Sequence, residues 1–233
     1  MDFPSRPRDN HESERGSPQP MLLIAGVLVI GLVLGYLAGG RLRNFEHLRL
    51  RWWALAPLGF LMQLVPLPLQ GHLERQVSVG LLIASYPVLL AFVARNIRLP
   101  GLPLLFIGLA MNLLVISVND GMPVTRHALE ASGQGNLLQD LIHNGGAKHH
   151  LAGSGDVLLP LGDVIPIGKP IRQVVSAGDL VVYAGMIWLI VAVMRRRPRE
   201  TAPAPPPARS GRSAGSPPGP APRPGGTWPG TEP

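Results

Sequence analysis

Long apolar runs without a charge constrain this chain more than any other feature. A helix rises about 1.5 Å per residue, so roughly 20 apolar residues are needed to cross the ~30 Å hydrocarbon layer of a bilayer. Four blocks have about that length: 21–38 (MLLIAGVLVIGLVLGYLA), 52–69, 77–94 and 99–118. A fifth run, LVVYAGMIWLIVAVM at 180–194, reaches it when its helix starts near Gly178. None of the four blocks, nor 180–194, contains Asp, Glu, Lys or Arg. One such charge at mid-membrane costs about 2.5–3.5 kcal/mol on insertion scales. The expected fold class is an all-α integral membrane protein. Its five transmembrane helices would lie at about 21–38, 52–69, 77–94, 99–118 and 178–194, with an ordered outer loop, 119–177, between spans four and five.

Orientation follows from the excess of Lys and Arg on the cytoplasmic side of spans. Arg41, Arg43, Arg49 and Arg51 separate the first two spans, and Arg195, Arg196, Arg197 and Arg199 follow the last. The turn after span two has only Arg75, whereas the next has Arg95 and Arg98. Rich and poor segments alternate, which places the C-terminus in the cytoplasm and the N-terminus and the 119–177 loop outside a cell membrane. Trp52, Trp53, Tyr36 and Trp188 fall near span ends, where amphipathic rings favour the headgroup layer. Pro57 and Pro87 are expected to kink their helices. The first block exceeds the 7–15 apolar residues of a signal peptide and is followed by Arg41 and Arg43, so it is taken as a retained span.

Both ends lack apolar periodicity. Residues 1–20 are polar and charged, and are expected to be disordered, so that translation starting at Met21 remains an alternative. Residues 195–233 carry runs such as PAPPPA and SPPGPAP with scattered arginines, the composition of a disordered cytoplasmic tail with polyproline II character. Net charge is +7, yet the arginines flank apolar segments and this tail without forming a basic face, so nucleic acid is excluded as a partner. Two lysines only, Lys148 and Lys169, beside abundant Arg, Ala, Gly and Pro, point to a GC-rich bacterial genome. Cysteine is absent, which excludes disulfides, thiolate metal sites and cysteine nucleophiles.

The loop 119–177 is too long to be structureless inside a compact domain. MPVTRHALEASG should hold a short helix, with Thr125 as N-cap and Gly133 at the end. The apolar run 157–167 is too short to span and, with its prolines and glycine, suits a re-entrant or interfacial segment. GGRLRNFEHLRLRWW after span one, NLLVISVNDGMPV, LGDVIPI and SAGDL together resemble a bacterial membrane-protein family known only as a domain of unknown function. That family is found mainly in actinobacteria and clostridia, and the resemblance covers about 21–194. It implies membrane location and the topology above. It brings no catalytic residues.

Asp120, Asp163 and Asp179 fall near the expected outer face, and Asp163 lies within an apolar stretch. A carboxylate there needs a partner or takes up a proton, so the three form a candidate ion or proton site, with Arg126, Lys169 and Arg172 nearby as counter-charges. The competing interpretation is that they cap helices and turns; Asp179 precedes a helix, whose N-terminal dipole a carboxylate complements. Asn112 and Gln63, polar at membrane depth, are expected to bond neighbouring helices. His143, His149 and His150 match no metal-ligand spacing, and no metal or cofactor is expected. HExxH, GxSxG, GxxxxGK[ST] and a strand-borne GxGxxG are all missing. The expected function is a non-enzymatic membrane or envelope component that binds another membrane protein within the lipid bilayer. A small transporter or ion pathway using the outer aspartates is the alternative, and a lipid-directed membrane enzyme a further one.

Overall fold

The computed structural model describes residues 20–64, 71–143 and 148–196, and Gly219 alone beyond them. The expected disorder at 1–20 and in the proline-rich tail concerns residues that otherwise lie outside this description. Of the two units into which the chain divides, Met1–Arg197 and Pro198–Pro233, the account below concerns the first.

Its elements are helix α1 (Pro20–Leu37), a 3-10 turn (Leu42–His47), α2 (Leu55–Leu64), α3 (Gly71–Arg95), α4 (Leu102–Val118), strand β1 (Met122–Val124), α5 (Arg126–Ser132), α6 (Gly135–His143), β2 (His149–Leu151), a second 3-10 turn (Leu159–Leu161), β3 (Asp163–Ile167), β4 (Gln173–Ser176) and α7 (Ala177–Arg195). Strands β2, β1, β3 and β4 form one sheet in that order. The architecture is therefore mixed α/β, and the all-α expectation is corrected.

The five-span expectation fails with it. Among the described residues two helices are long and apolar enough to cross a membrane, Leu73–Arg95 and Ala177–Arg195. The other apolar helices, Met21–Leu37, Leu55–Leu64 and Leu102–Val118, are shorter. Local backbone explains the shortfall. Trp52 sits at φ 55° in a turn, so the second block becomes helical only at Leu55, and Pro57 falls in the first turn, where a missing N–H costs little. Gly101, at φ 86°, marks the start of α4, with Pro103 in its opening positions. Seventeen residues then give about 26 Å of helix. Pro87, by contrast, is accommodated inside α3.

Glycines set how closely the helices approach. Helices α4 and α7 run antiparallel, with Gly101 against Gly185 and Gly108 against Gly178. A Cβ on Gly101 would stand 2.2 Å from Gly185 O, and one on Gly108 2.5 Å from Gly178 O. Helix α1 runs parallel to α7, with Gly31 over Ile190 and Gly35 over Met194. These are small-residue crossings, in which backbone contact replaces side-chain volume. Gly59 of α2 meets Leu89 of α3 in the same way.

Hydrogen bonds assign the two ends of these helices. At one end Met194 O accepts from Arg41 N (2.9 Å) and from Asn44 Nδ2 (2.5 Å), while Asn96 exchanges two 2.8 Å bonds with the Arg51 backbone. The Arg95 guanidinium lies 5.7 Å from the Trp52 ring centroid there, within cation–π range. At the other end lies the sheet. Lys148 Nζ donates to Gln63 O, Arg75 to Asp120 O, and Asn119 Nδ2 to Val157 O. The arginine-rich segments and the sheet thus occupy opposite ends.

Strand β1 is parallel to β2 and to β3, whereas β3 and β4 are antiparallel with a bulge between Asp163 and Ile165. Thr125 caps α5 by accepting from Ala128 N at 3.4 Å, and Gly133 ends it at φ 78°, at the positions the sequence indicates. Within the 157–167 run, Leu159–Leu161 form the second 3-10 turn and Asp163–Ile167 form β3. Two apolar clusters result. Leu82, Tyr86, Val115, Ile116 and Met122 pack between α3, α4 and β1; Val124, Leu129, Leu138 and Leu141 pack between the sheet and α5–α6.

Candidate functional site

The start of α7 is built by a reciprocal cap. Ser176 Oγ accepts from Asp179 N at 3.0 Å, and Asp179 Oδ2 accepts from Ser176 N at 3.1 Å, so two otherwise unpaired donors are satisfied at once. From α4, Asn112 closes the network. Its Nδ2 donates to Asp179 Oδ1 at 2.7 Å, and its Oδ1 accepts from Ser176 Oγ at 2.9 Å. The Tyr86 hydroxyl of α3 lies within hydrogen-bonding reach of Asn112. Both Asp179 oxygens are therefore committed to holding α4, α7 and the sheet together.

Asp163 begins β3 and is 7% exposed. Its backbone serves the sheet, with its carbonyl accepting from Thr125 N at 3.1 Å. Its carboxylate does not share in the cap. The nearest basic group is His149 Nε2 of β2 at 3.6 Å, beyond hydrogen-bond distance. Burial holds the Asp163 carboxyl well above the usual carboxylate range, and the negative Asp179 adds to that shift. Among the described residues no Lys or Arg pairs with it, so Arg126, Lys169 and Arg172 do not act as its counter-charges.

A cavity of about 180 Å³ opens beside Asp163, between the sheet and α5–α6. Val124, Leu129, Leu137 and Val174 supply apolar walls; Gln134, His149, Asp163 and Gln173 supply polar groups. Gln134 is buried and within 3.3 Å of Ser132 Oγ. Gln173 Oε1 is buried and has no hydrogen-bond partner among the described residues. The His149 side chain, 52% exposed, stands at the rim.

A second polar pair lies in the segment after β2. His150 Nε2 and Asp156 Oδ1 are 2.8 Å apart, and Asp156 Oδ2 accepts from Gly153 N at 2.8 Å. Partial burial opposes the Asp156 charge, but the Gly153 N–H and the His150 imidazole outweigh it and lower the carboxyl below its ordinary value. Lys148, partly buried as it reaches Gln63, is lowered from the ordinary lysine range by desolvation.

The structure therefore separates the three candidate aspartates. Asp163 and Asp179 are close enough to influence each other, one at a cavity and one in a cap. Asp120 is exposed, at φ 52° in the turn before β1, and belongs to neither. His149 and His150 turn to different carboxylates, the His143 side chain lies outside the described residues, and no group suited to a metal occurs among those described. Sequence spacing could not bring His149 and Gln173 to Asp163, because cross-strand pairing in a sheet of order β2-β1-β3-β4 makes them neighbours. A faint signal was available in the polar residues flanking each short apolar stretch.

Comparison with known proteins agrees with the sequence motifs. The chain is 29% identical over 172 residues to an uncharacterized protein of Thermotoga maritima, covering 72% of this chain and 90% of the relative. No solved structure matches. Residues 47–191, from the first 3-10 turn almost to the end of α7, match one family model, a narrower reach than the 21–194 over which the motifs extend. On that match the chain belongs to the Family of unknown function (DUF5317).

Proposed function

We propose that this chain is a non-enzymatic membrane component that acts by binding, at the end of its helices where the sheet lies. The observation that supports this reading is the cavity over the sheet, at which the buried residue Asp163 has, among the described residues, no basic group nearer than His149 at 3.6 Å. Buried polar groups in folded proteins nearly always have partners, and an occupant would supply them. In this reading α3 and α7 hold the chain in the bilayer as a multi-pass protein, with the antiparallel α4 carrying the chain back between them. The sheet faces outward, and the arginine-rich end with the C-terminus faces the cytoplasm, as charge asymmetry directs.

Two experiments test it. The chain has no native cysteine, so single cysteines at Asp156 and Arg43 report sidedness to an impermeant maleimide in intact cells. Labelling at 156 alone is expected; labelling at 43 alone reverses the orientation. For the binding role, Leu137→Trp should fill the cavity and abolish the phenotype of a deletion strain's complementation while the protein still accumulates. Full complementation by that variant would remove the cavity from the function.

An ion or proton pathway is the second reading, supported by the proximity of Asp163 and Asp179 to Tyr86 and Tyr183. The engagement of both Asp179 oxygens in the cap weighs against it. Asp163→Asn that left all ion flux in reconstituted vesicles unchanged would end it.

A further inference from the structure

We propose that the arginine-rich end of the helices is a docking surface for anionic phospholipid headgroups, with Trp52 and Trp53 seated beside the arginines at the headgroup layer. The inference rests on the membrane placement proposed above and specifies the lipid class that this end selects.

Separate stretches of chain bring positive charge to one face. The segment between α1 and α2 carries Arg41, Arg43, Arg49 and Arg51, all exposed. The C-terminal ends of α3 and α7, with the residues just beyond them, add Arg95, Arg98, Arg195 and Arg196, exposed as well. Buried Asn96 exchanges two 2.8 Å hydrogen bonds with the Arg51 backbone, and Met194 O accepts from Arg41 N at 2.9 Å. These bonds tie the stretches into one face.

The chain supplies little compensating charge. Glu46 is the one Asp or Glu in these stretches, and among the described residues none of the eight arginines forms an ion pair. Residues 197–233 hold five Arg against two Glu, so they bring no excess of negative charge. Like charges gathered on one face repel, and a layer of anions relieves that repulsion.

The source of the anion follows from what stands beside the arginines. Trp52 is 59% and Trp53 67% exposed, and Tyr36 and Leu37 at the end of α1 are exposed too. A dissolved phosphate would leave those side chains against water. A phospholipid covers both kinds of surface: its phosphate meets guanidinium groups, and its glycerol and upper acyl chains meet the rings. The Arg95 guanidinium, 5.7 Å from the Trp52 ring centroid, puts charge and ring within reach of one headgroup. On an anionic leaflet each such arginine strengthens attachment by about fivefold.

The test uses the full chain reconstituted in phosphatidylcholine vesicles, with Trp188→Phe and Trp228→Phe so that Trp52 and Trp53 are the remaining tryptophans. A minor share of the lipid carries bromines on its acyl chains, as phosphatidylglycerol in one set and phosphatidylcholine in the other. Tryptophan quenching should be stronger with brominated phosphatidylglycerol, corresponding to a preference of at least about fivefold. The quadruple variant Arg49→Gln, Arg51→Gln, Arg95→Gln and Arg98→Gln should bring the two lipids towards parity. Arg75→Gln, at the opposite end, should change nothing. Thermal unfolding confirms that each variant folds. Equal quenching in the parent, a preference undiminished in the quadruple variant, or an equal loss from Arg75→Gln overturns the assignment. Loss of the preference on adding inorganic phosphate or polyglutamate at constant ionic strength also overturns it, in favour of a free anion or an acidic protein respectively. Quenching by neither brominated lipid places this end away from a bilayer and removes the membrane placement itself. The cavity's role is judged separately, by complementation with Leu137→Trp.

Discussion

Asn112 Nδ2 donates to Asp179 Oδ1 at 2.7 Å across a helix crossing with no spare room. A Cβ on Gly178 would stand 1.9 Å from Asn112 Oδ1. The polar network and the close approach of α4 to α7 are thus one feature. The glycine lets the amide reach the cap, and the amide fixes the depth at which the helices cross.

Gly178→Ala should accordingly destabilise the protein by about 1–3 kcal/mol, as overpacking does. Gly80→Ala is the matched comparison, because nothing lies within 4 Å of its would-be Cβ, and alanine there should be neutral or stabilising by up to about 1 kcal/mol. Thermal unfolding in detergent measures both. Equal effects at the two positions would show that the α4–α7 crossing has slack.

Asn112→Ala and Asp179→Ala should each cost about 1–3 kcal/mol, because each leaves a buried partner unsatisfied. The double variant should lose less than the sum by at least about 0.5 kcal/mol, since the bond can be broken once only. Strict additivity in this cycle would mean that the two side chains act independently.

Asp163 makes stability depend on pH in a defined sense. Its folded carboxyl is raised above the ordinary value of 3.8, so above that pH the folded state retains a proton that the unfolded state has released. Stability from this group therefore falls as pH rises from about 3.8 through the raised value. His149 from β2, Asp179 and Tyr183 from α7, and Tyr86 from α3 are the titratable groups near it. Asp163→Asn should remove that loss. Its melting temperature should match the parent near pH 3.8 and exceed it at neutral pH by at least about 2 °C. A parent as stable as the variant at neutral pH would mean that the carboxylate is already compensated.

Asp156 has the opposite sign. Its carboxyl is depressed, so its contribution is present above the ordinary value of 3.8 and is lost as pH falls through the depressed one. Asp156→Ala should release His150 and the Gly153 amide, and hydrogen exchange at 152–158 should accelerate more than at α7. Uniform acceleration across both regions would make this pair part of the global core instead.

Much of the local structure was legible from residue order. Thr125 and Gly133 bound α5 because an N-cap hydroxyl and a left-handed glycine act within a few residues of themselves. The Asp179 cap was legible for the same reason. Span lengths were less so: Trp52 and Gly101 take up positive φ, and this shortens helices whose hydropathy continues past them. Counting apolar residues registers no such turn.

The sheet was not legible. Strands β1 and β2 have three residues each, too few for alternation to register, and their parallel pairing joins residues far apart in the chain. Asp163 could be singled out as a carboxylate in apolar sequence, yet its setting depends on His149 and Gln173, brought to it by β2 and β4.

By itself the sequence determined where apolar helices arise, which ends carry the arginines and where caps start and stop them, since hydrophobicity and hydrogen bonding within a turn are local. The tertiary structure decided that the segment between α4 and α7 is a sheet, that Asp179 is spent on a cap, and that Asp163 faces a cavity. Those outcomes depend on which distant strands pair and how near two glycine-lined helices approach, and neither is encoded within any single stretch of the chain.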